Sequence, residues 1–170
     1  MKSPFPCDLA DLSKRLASFI VATEDYKPEA AIINYYPQGA NMGGHQDDAE
    51  PAMDRPIVSI SIGCPAIFLI GGRDKSITPI PILVRSGDVI ILSDESRYAY
   101  HGVPLVLPMC EAGVEAAQCE LATFLYENNN KDYKGVNECD NHVKTYLRTC
   151  RLNMNIRQVV HDENDLIVRH

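Results

Sequence analysis

Apolar residues recur at two different periods along this chain, and the changes between them mark out its elements. From Asp8 onward Leu9, Leu12, Leu16, Phe19 and Ile20 follow helical spacing, with Lys14 and Arg15 on the opposite side and Asp8 placed to cap the first turn. The expectation is one amphipathic helix whose apolar stripe packs on a sheet. After Asp25-Tyr26-Lys27-Pro28, the run Ala30-Ala31-Ile32-Ile33-Asn34-Tyr35-Tyr36 is rich in strand formers and stops at Pro37-Gln38-Gly39. It predicts a first barrel strand, with Asn34 and Tyr36 on one face because strand side chains alternate.

Ile57-Val58-Ser59-Ile60-Ser61-Ile62 alternates strictly, and Gly63-Cys64-Pro65 turns it into Ala66-Ile67-Phe68-Leu69-Ile70, which reads as a hairpin. A second pair is expected from Ile80–Val84 and Val89–Leu92 across Arg85-Ser86-Gly87-Asp88, where the glycine suits a tight turn. Residues 108–135 lose periodicity and carry Asn128-Asn129-Asn130, as a surface insertion of low order would. Val143, Tyr146, Leu147 and Cys150 then return to helical spacing over 140–150, and 161–170 reads as a polar tail. Many short strands with Gly and Pro turns and few helices indicate a mainly β domain over residues 1–160, a double-stranded β-helix or jelly-roll barrel.

With 170 residues and 45% apolar content, the chain suffices for one domain with a core of its own. No run approaches 18 apolar residues, so neither a membrane span nor a secretory signal is visible. The six cysteines, at 7, 64, 110, 119, 139 and 150, contain no Cys-x-x-Cys pair. They read as reduced thiols of an intracellular protein, with Cys64 and Cys150 as small core residues. The net charge of −7 argues against a simple polyanion binder. It is unevenly spread, however: 111–141 hold seven acids against two lysines, while 142–160 hold Lys144, Arg148, Arg151 and Arg157 with no acid. A neutral or basic working face is compatible with that distribution.

The candidate chemistry begins in Asn41-Met42-Gly43-Gly44-His45-Gln46-Asp47-Asp48. In an extended segment His45 and Asp47 point to one side and can grip one metal. His101, in Tyr100-His101-Gly102, would complete two imidazoles and one carboxylate, the facial set that leaves positions open on non-haem Fe(II). His-x-Asp alone is weak evidence, because a polar turn produces it by chance. The C-terminal Arg151-Leu152-Asn153-Met154-Asn155-Ile156-Arg157 adds weight: as a strand it puts Arg151, Asn153, Asn155 and Arg157 on one face. Two inward arginines need an anion. A diacid that chelates iron at one end and meets a guanidinium fork at the other satisfies both halves, and 2-oxoglutarate is such a molecule.

At these residues the chain resembles the AlkB family of Fe(II)/2-oxoglutarate dioxygenases. The matching stretches are Ile33-Asn34-Tyr35-Tyr36, His45-Gln46-Asp47, Pro65-Ala66-Ile67-Phe68 with Gly71-Gly72, Ser86-Gly87-Asp88-Val89, Glu95-Ser96-Arg97 with Tyr100-His101-Gly102, and Arg151 through Gln158. They fall in family order across nearly the whole chain. Pro4-Phe5-Pro6 and the Asn153-to-Val159 ending look most like the first of the eukaryotic homologues.

The resemblance implies Fe(II) on His45, Asp47 and His101. It implies 2-oxoglutarate held by Asn34 and Tyr36, with Arg151 at the distal carboxylate, Arg157 near the proximal one and Asn153 assisting. Arg97 would lie near the substrate base, or else form a salt bridge over the barrel mouth. The implied activity is oxidative demethylation of an N-methylated base in RNA or DNA, releasing formaldehyde, succinate and CO2. The implied protein is a monomer without membrane contact, in nucleus, cytoplasm or mitochondrion. Two features depart from the pattern. Ala49 stands where bacterial members carry a base-reading carboxylate, and the family's nucleotide-recognition lid would lie upstream of Ser3. The competing readings are a dioxygenase acting on a protein side chain and a metal-binding jelly-roll scaffold.

Overall fold

The computed structural model describes residues 4–20, 26–109 and 139–161. In chain order its elements are α1 (Cys7–Ser18), β1 (Ala30–Pro37), β2 (Met42–His45), β3 (Ile57–Gly63), β4 (Ala66–Ile70), β5 (Ile80–Val84), β6 (Val89–Leu92), α2 (Asp94–Arg97), β7 (His101–Val106), α3 (Cys139–Thr149) and β8 (Cys150–Arg157). The strands form two antiparallel sheets of four, ordered β1-β8-β3-β6 and β2-β7-β4-β5. The fold is the jelly-roll. Most of the expected 108–135 insertion and all but the first residue of the 161–170 tail lie outside the described residues.

Both expected hairpins are corrected. β3 pairs with β6 and β8, whereas β4 pairs with β5 and β7, so Gly63-Cys64-Pro65 carries the chain from one sheet to the other. β5 and β6 are likewise in different sheets. The turn 85–88 is tight, with Asp88 N–H donating to Arg85 O at 3.1 Å and Gly87 at φ +90°, but it docks on the end of β3 through Gly87 N–H to Ser61 O at 2.8 Å. Alternation says that a strand has two faces. It does not say which strand lies beside it.

Gly63 makes the first corner. It sits at φ +87°, and a Cβ there would lie 2.3 Å from the carbonyl oxygen of Cys150, where β8 begins. Gly63→Ala combines a left-handed backbone with a clash against main chain, so a loss of about 3 kcal/mol or more is expected in urea unfolding. Gly87→Ala, with nothing within 4 Å of its Cβ position, should cost less.

The β1-β8-β3-β6 sheet has two different faces. One carries Val58, Ile60 and Ile156, which pack with Tyr26 and Ala17 of α1, flanked by Phe5, Leu9, Leu16, Ala31 and Met154. The helical stripe is corrected in part, since Leu9 and Leu16 pack against this core and the rest of the stripe does not. The buried positions of α1 are Ser13 and Ala17, while Leu12, Phe19 and Ile20 are exposed, Phe19 by 85%. Small side chains are what let the helix backbone approach the sheet. Asp8 lies in the first turn, one residue inside the helix, and the cap position is Pro6 with no side-chain cap. At the far end, α3 stops one residue earlier than expected and Cys150 opens β8. The other face of this sheet looks at the second sheet, and Tyr36, Cys64, Ala66, Phe68, Val84, Val103 and Val106 form the core between them.

Candidate active site

Register places the polar residues. β8 lies between β1 and β3, with Asn34 opposite Asn153, Tyr36 opposite Arg151, Ser59 opposite Asn155 and Ser61 opposite Asn153. Because facing residues on neighbouring strands share a side, Arg151, Asn153, Asn155 and Arg157 all turn away from the Val58–Ile156 core and toward the second sheet. Across the cleft, His45 at the end of β2 pairs in register with His101 at the start of β7. Tyr36, His45, Asp47, Phe68, His101, Arg151 and Asn153 line one pocket between the sheets.

The ligand atoms of His45, Asp47 and His101 lie within 4.8 Å of one another. His45 Nε2 is 3.8 Å from Asp47 Oδ1, and His101 Nε2 is 3.8 Å from Asp47 Oδ2. Each imidazole has its other nitrogen on a main-chain carbonyl, His45 Nδ1 on Gly43 O at 2.9 Å and His101 Nδ1 on Ala99 O at 3.1 Å. A carbonyl only accepts, so Nδ1 carries the proton and Nε2 keeps its lone pair. That is the donor set and tautomer a divalent metal requires. Phe68 stacks on His101 at 5.8 Å between ring centroids and closes the apolar side. His45 is the more open of the pair, with its side chain 37% exposed against 7% for His101.

Burial holds the His101 pKa below its usual value, with the neighbouring His45 and Arg97 adding to the effect and the Ala99 carbonyl and Asp47 opposing it. The folded state therefore resists a proton that the unfolded chain accepts. This contribution to stability is intact above the unfolded value near 6.5 and is lost as pH falls from there to the depressed folded value. The metal-free protein should lose stability over that window in denaturant titrations, and His101→Gln should flatten the slope.

Arg151 and Arg157 differ in environment. Arg157 already meets carboxylates of the chain itself, Asp47 Oδ2 at 3.1 Å and Glu50 Oε1. Arg151 meets none. It is 2% exposed, its Nη2 donates to Ser61 Oγ at 3.0 Å, and its Nε and Nη1 have no partner among the described residues. Burial lowers its pKa, with Tyr36 and Asp88 partly offsetting that, but a guanidinium stays charged. A buried cation with two free donors facing a cleft is a built anion site.

The remaining expected residues are placed as follows. Asn153 Nδ2 donates to Ser59 Oγ at 2.8 Å and Ile60 O at 3.2 Å, and the Tyr36 hydroxyl reaches Met42 Sδ at 3.5 Å. Asn34 is half-buried on the same face. Arg97 is 1% exposed at the end of α2, and its guanidinium is spent on Glu50 Oε2 at 3.1 Å, Arg55 O at 3.1 Å and the carbonyl of Asp47. Its environment is that of an ion pair beneath the site. Glu50 was not singled out from sequence. Asp47-Asp48-Ala49-Glu50 offers three acids in an irregular stretch, and no periodicity says which of them turns inward.

A jelly-roll with a facial His/Asp/His cluster and a buried anion site behind it is the architecture of a metal-dependent oxygenase. Residues 1–157 match the profile of the 2OG-Fe(II) oxygenase superfamily, to which the chain belongs, within its AlkB branch. The superfamily works with Fe(II) and 2-oxoglutarate, and the triad and Arg151 fit both. Among relatives, the chain is 38% identical over 156 residues to the DNA N(6)-methyladenine demethylase ALKBH1A of Arabidopsis thaliana, covering 91% of this chain and 41% of that protein. It is 36% identical over 160 residues to the human nucleic acid dioxygenase ALKBH1, covering 93% and 41%. The solved structure of OsALKBH1 shares the fold, with a TM-score of 0.56 at 24% identity over 89% of this chain and 61% of that one. The chain thus spans about two fifths of the length of these two sequence relatives.

Proposed function

We propose that this chain is the catalytic core of an Fe(II)/2-oxoglutarate-dependent dioxygenase that demethylates N-methylated bases in nucleic acid. The observation that carries the reading is the pairing, in one cleft, of the His45/Asp47/His101 cluster with the unpartnered donors of Arg151. In this reading the two Nε2 atoms and the Asp47 carboxylate hold the metal. The Arg151 fork takes the distal carboxylate of 2-oxoglutarate, with Tyr36 and Asn153 beside it. Ser59 and Ser61 orient Asn153 and Arg151 by hydrogen bonds. With O2 and 2-oxoglutarate, bound Fe(II) supplies the oxidation that hydroxylates an N-methyl carbon, which then leaves as formaldehyde, alongside succinate and CO2. Phe68 excludes water on one side, and the exposed edge of His45 marks the side from which the methyl group would enter.

Nucleic acid as substrate is supported by the relatives' names, which specify a DNA N(6)-methyladenine demethylase and a nucleic acid dioxygenase. The test is nucleoside mass spectrometry of methylated DNA and tRNA incubated with the protein, Fe(II) and 2-oxoglutarate. Loss of a methylated nucleoside that requires both additions is the expected result. Succinate production stimulated by a protein substrate and by no nucleic acid would overturn this reading in favour of side-chain oxidation.

A further inference from the structure

We propose that Glu50 is a positioning residue for the metal site: by occupying Arg97 and Arg157 it leaves the Asp47 carboxylate free for the metal. The inference rests on the metal reading above and goes beyond it. Two guanidiniums from separate elements, Arg97 from α2 and Arg157 from the end of β8, converge on the short stretch 47–50. Glu50 sits between them, 7% exposed, with Oε2 on Arg97 and Oε1 on Arg157. Arg157 reaches on to Asp47 Oδ2 at 3.1 Å, and Arg97 holds the carbonyl of the same residue.

The charges decide the role. The cluster contains two cations and two carboxylates, and one of those carboxylates must also serve a dication. With Glu50 present, Arg157 divides its donors and takes Asp47 by one nitrogen, leaving Oδ1 toward His45 Nε2. Without it, two buried guanidiniums share the single carboxylate of Asp47, and Arg157 competes with the metal for it. Both Glu50 oxygens are engaged with guanidiniums and shielded from solvent, so Glu50 is not placed to touch substrate. Arg97, with Nε and both terminal nitrogens engaged, is not either.

The experiment is Mn(II) affinity by electron paramagnetic resonance, without 2-oxoglutarate, on wild type, Glu50→Gln and the double variant Glu50→Gln/Arg157→Gln, with circular dichroism on each. Glu50→Gln should weaken Mn(II) about 10- to 100-fold, the usual range for a residue behind a ligand. The double variant removes the competing cation, so it should recover to within about threefold of wild type, a non-additivity that residues in one network show. Glu50→Gln binding Mn(II) like wild type, or a double variant at least as weak as the single one, would overturn the proposal. If Glu50→Gln alone does not fold, the charge-balanced double variant carries the test, and binding tenfold weaker than wild type would overturn it. Failure of wild type itself to bind Mn(II) would instead refute the metal reading.

Discussion

Asp47→Ala should abolish metal binding and 2-oxoglutarate turnover while leaving the barrel folded. Asp47 is the only anionic member of the triad, and two neutral imidazoles hold a hard divalent ion poorly. A loss of Fe(II) affinity of about 100-fold or more is expected, at or beyond the upper end of what changing a residue behind a ligand does. The fold should survive because Arg157 keeps its contact with Glu50, so losing Asp47 does not leave that guanidinium buried without a carboxylate. Isothermal titration with Mn(II), succinate assay and circular dichroism together check the claim. A variant that still turns over 2-oxoglutarate at the wild-type rate would remove Asp47 from the metal site.

Arg151→Met should move affinity and stability in opposite directions. In the proposed cosubstrate complex the guanidinium would face the distal carboxylate of 2-oxoglutarate. Truncating one partner of such a buried pair costs about 2–5 kcal/mol, so affinity should fall about thirtyfold or more. In the ligand-free protein the same guanidinium is buried with two donors unused. Replacing it with an apolar side chain of similar length removes a desolvated charge and should stabilise the apo protein by about 1–3 kcal/mol. For a chain of this size that corresponds to a rise in Tm of roughly 3–10 °C. Thermal shift with and without 2-oxoglutarate reads both effects at once. A fall in the apo Tm would mean that the hydrogen bond from Arg151 to Ser61 outweighs the cost of the buried charge, and an unchanged ligand shift would place the distal carboxylate elsewhere.

The unequal fate of two similar arginines shows where sequence reasoning stops. Arg151 and Arg157 share a face of β8, and period-two alternation says so without a structure. That both share a face, that His45 and Asp47 can grip one ion, and that strands span 30–36, 57–62, 66–70, 80–84 and 89–92, each within one residue of the structure, were all legible, because each follows from spacing within a few residues. The jelly-roll class was legible for the same reason. Short alternating strands with Gly and Pro turns leave few other ways to bury their apolar faces.

What the tertiary structure decided is everything that depends on a partner far along the chain. Gly63-Cys64-Pro65 reads as a hairpin turn yet switches sheets, because β3 finds β6 and β8 beside it and β4 finds β5 and β7. The helical stripe of α1 was read from Leu9, Leu12, Leu16, Phe19 and Ile20; Leu9 and Leu16 do pack against the sheet's core, but Leu12, Phe19 and Ile20 are exposed and the fully buried positions are Ser13 and Ala17. Periodicity ranks faces by hydrophobicity, but close approach is decided by the shape of what the helix meets. Charges behave likewise. A guanidinium has no directional partner in sequence, so only the folded chain shows that Glu50 takes Arg97 and Arg157 while Arg151 is left with donors to spare. Local periodicity determined the strands and the faces of this protein, and long-range pairing in a low-dielectric interior decided which charges neutralise one another and which one is left without a carboxylate among the described residues.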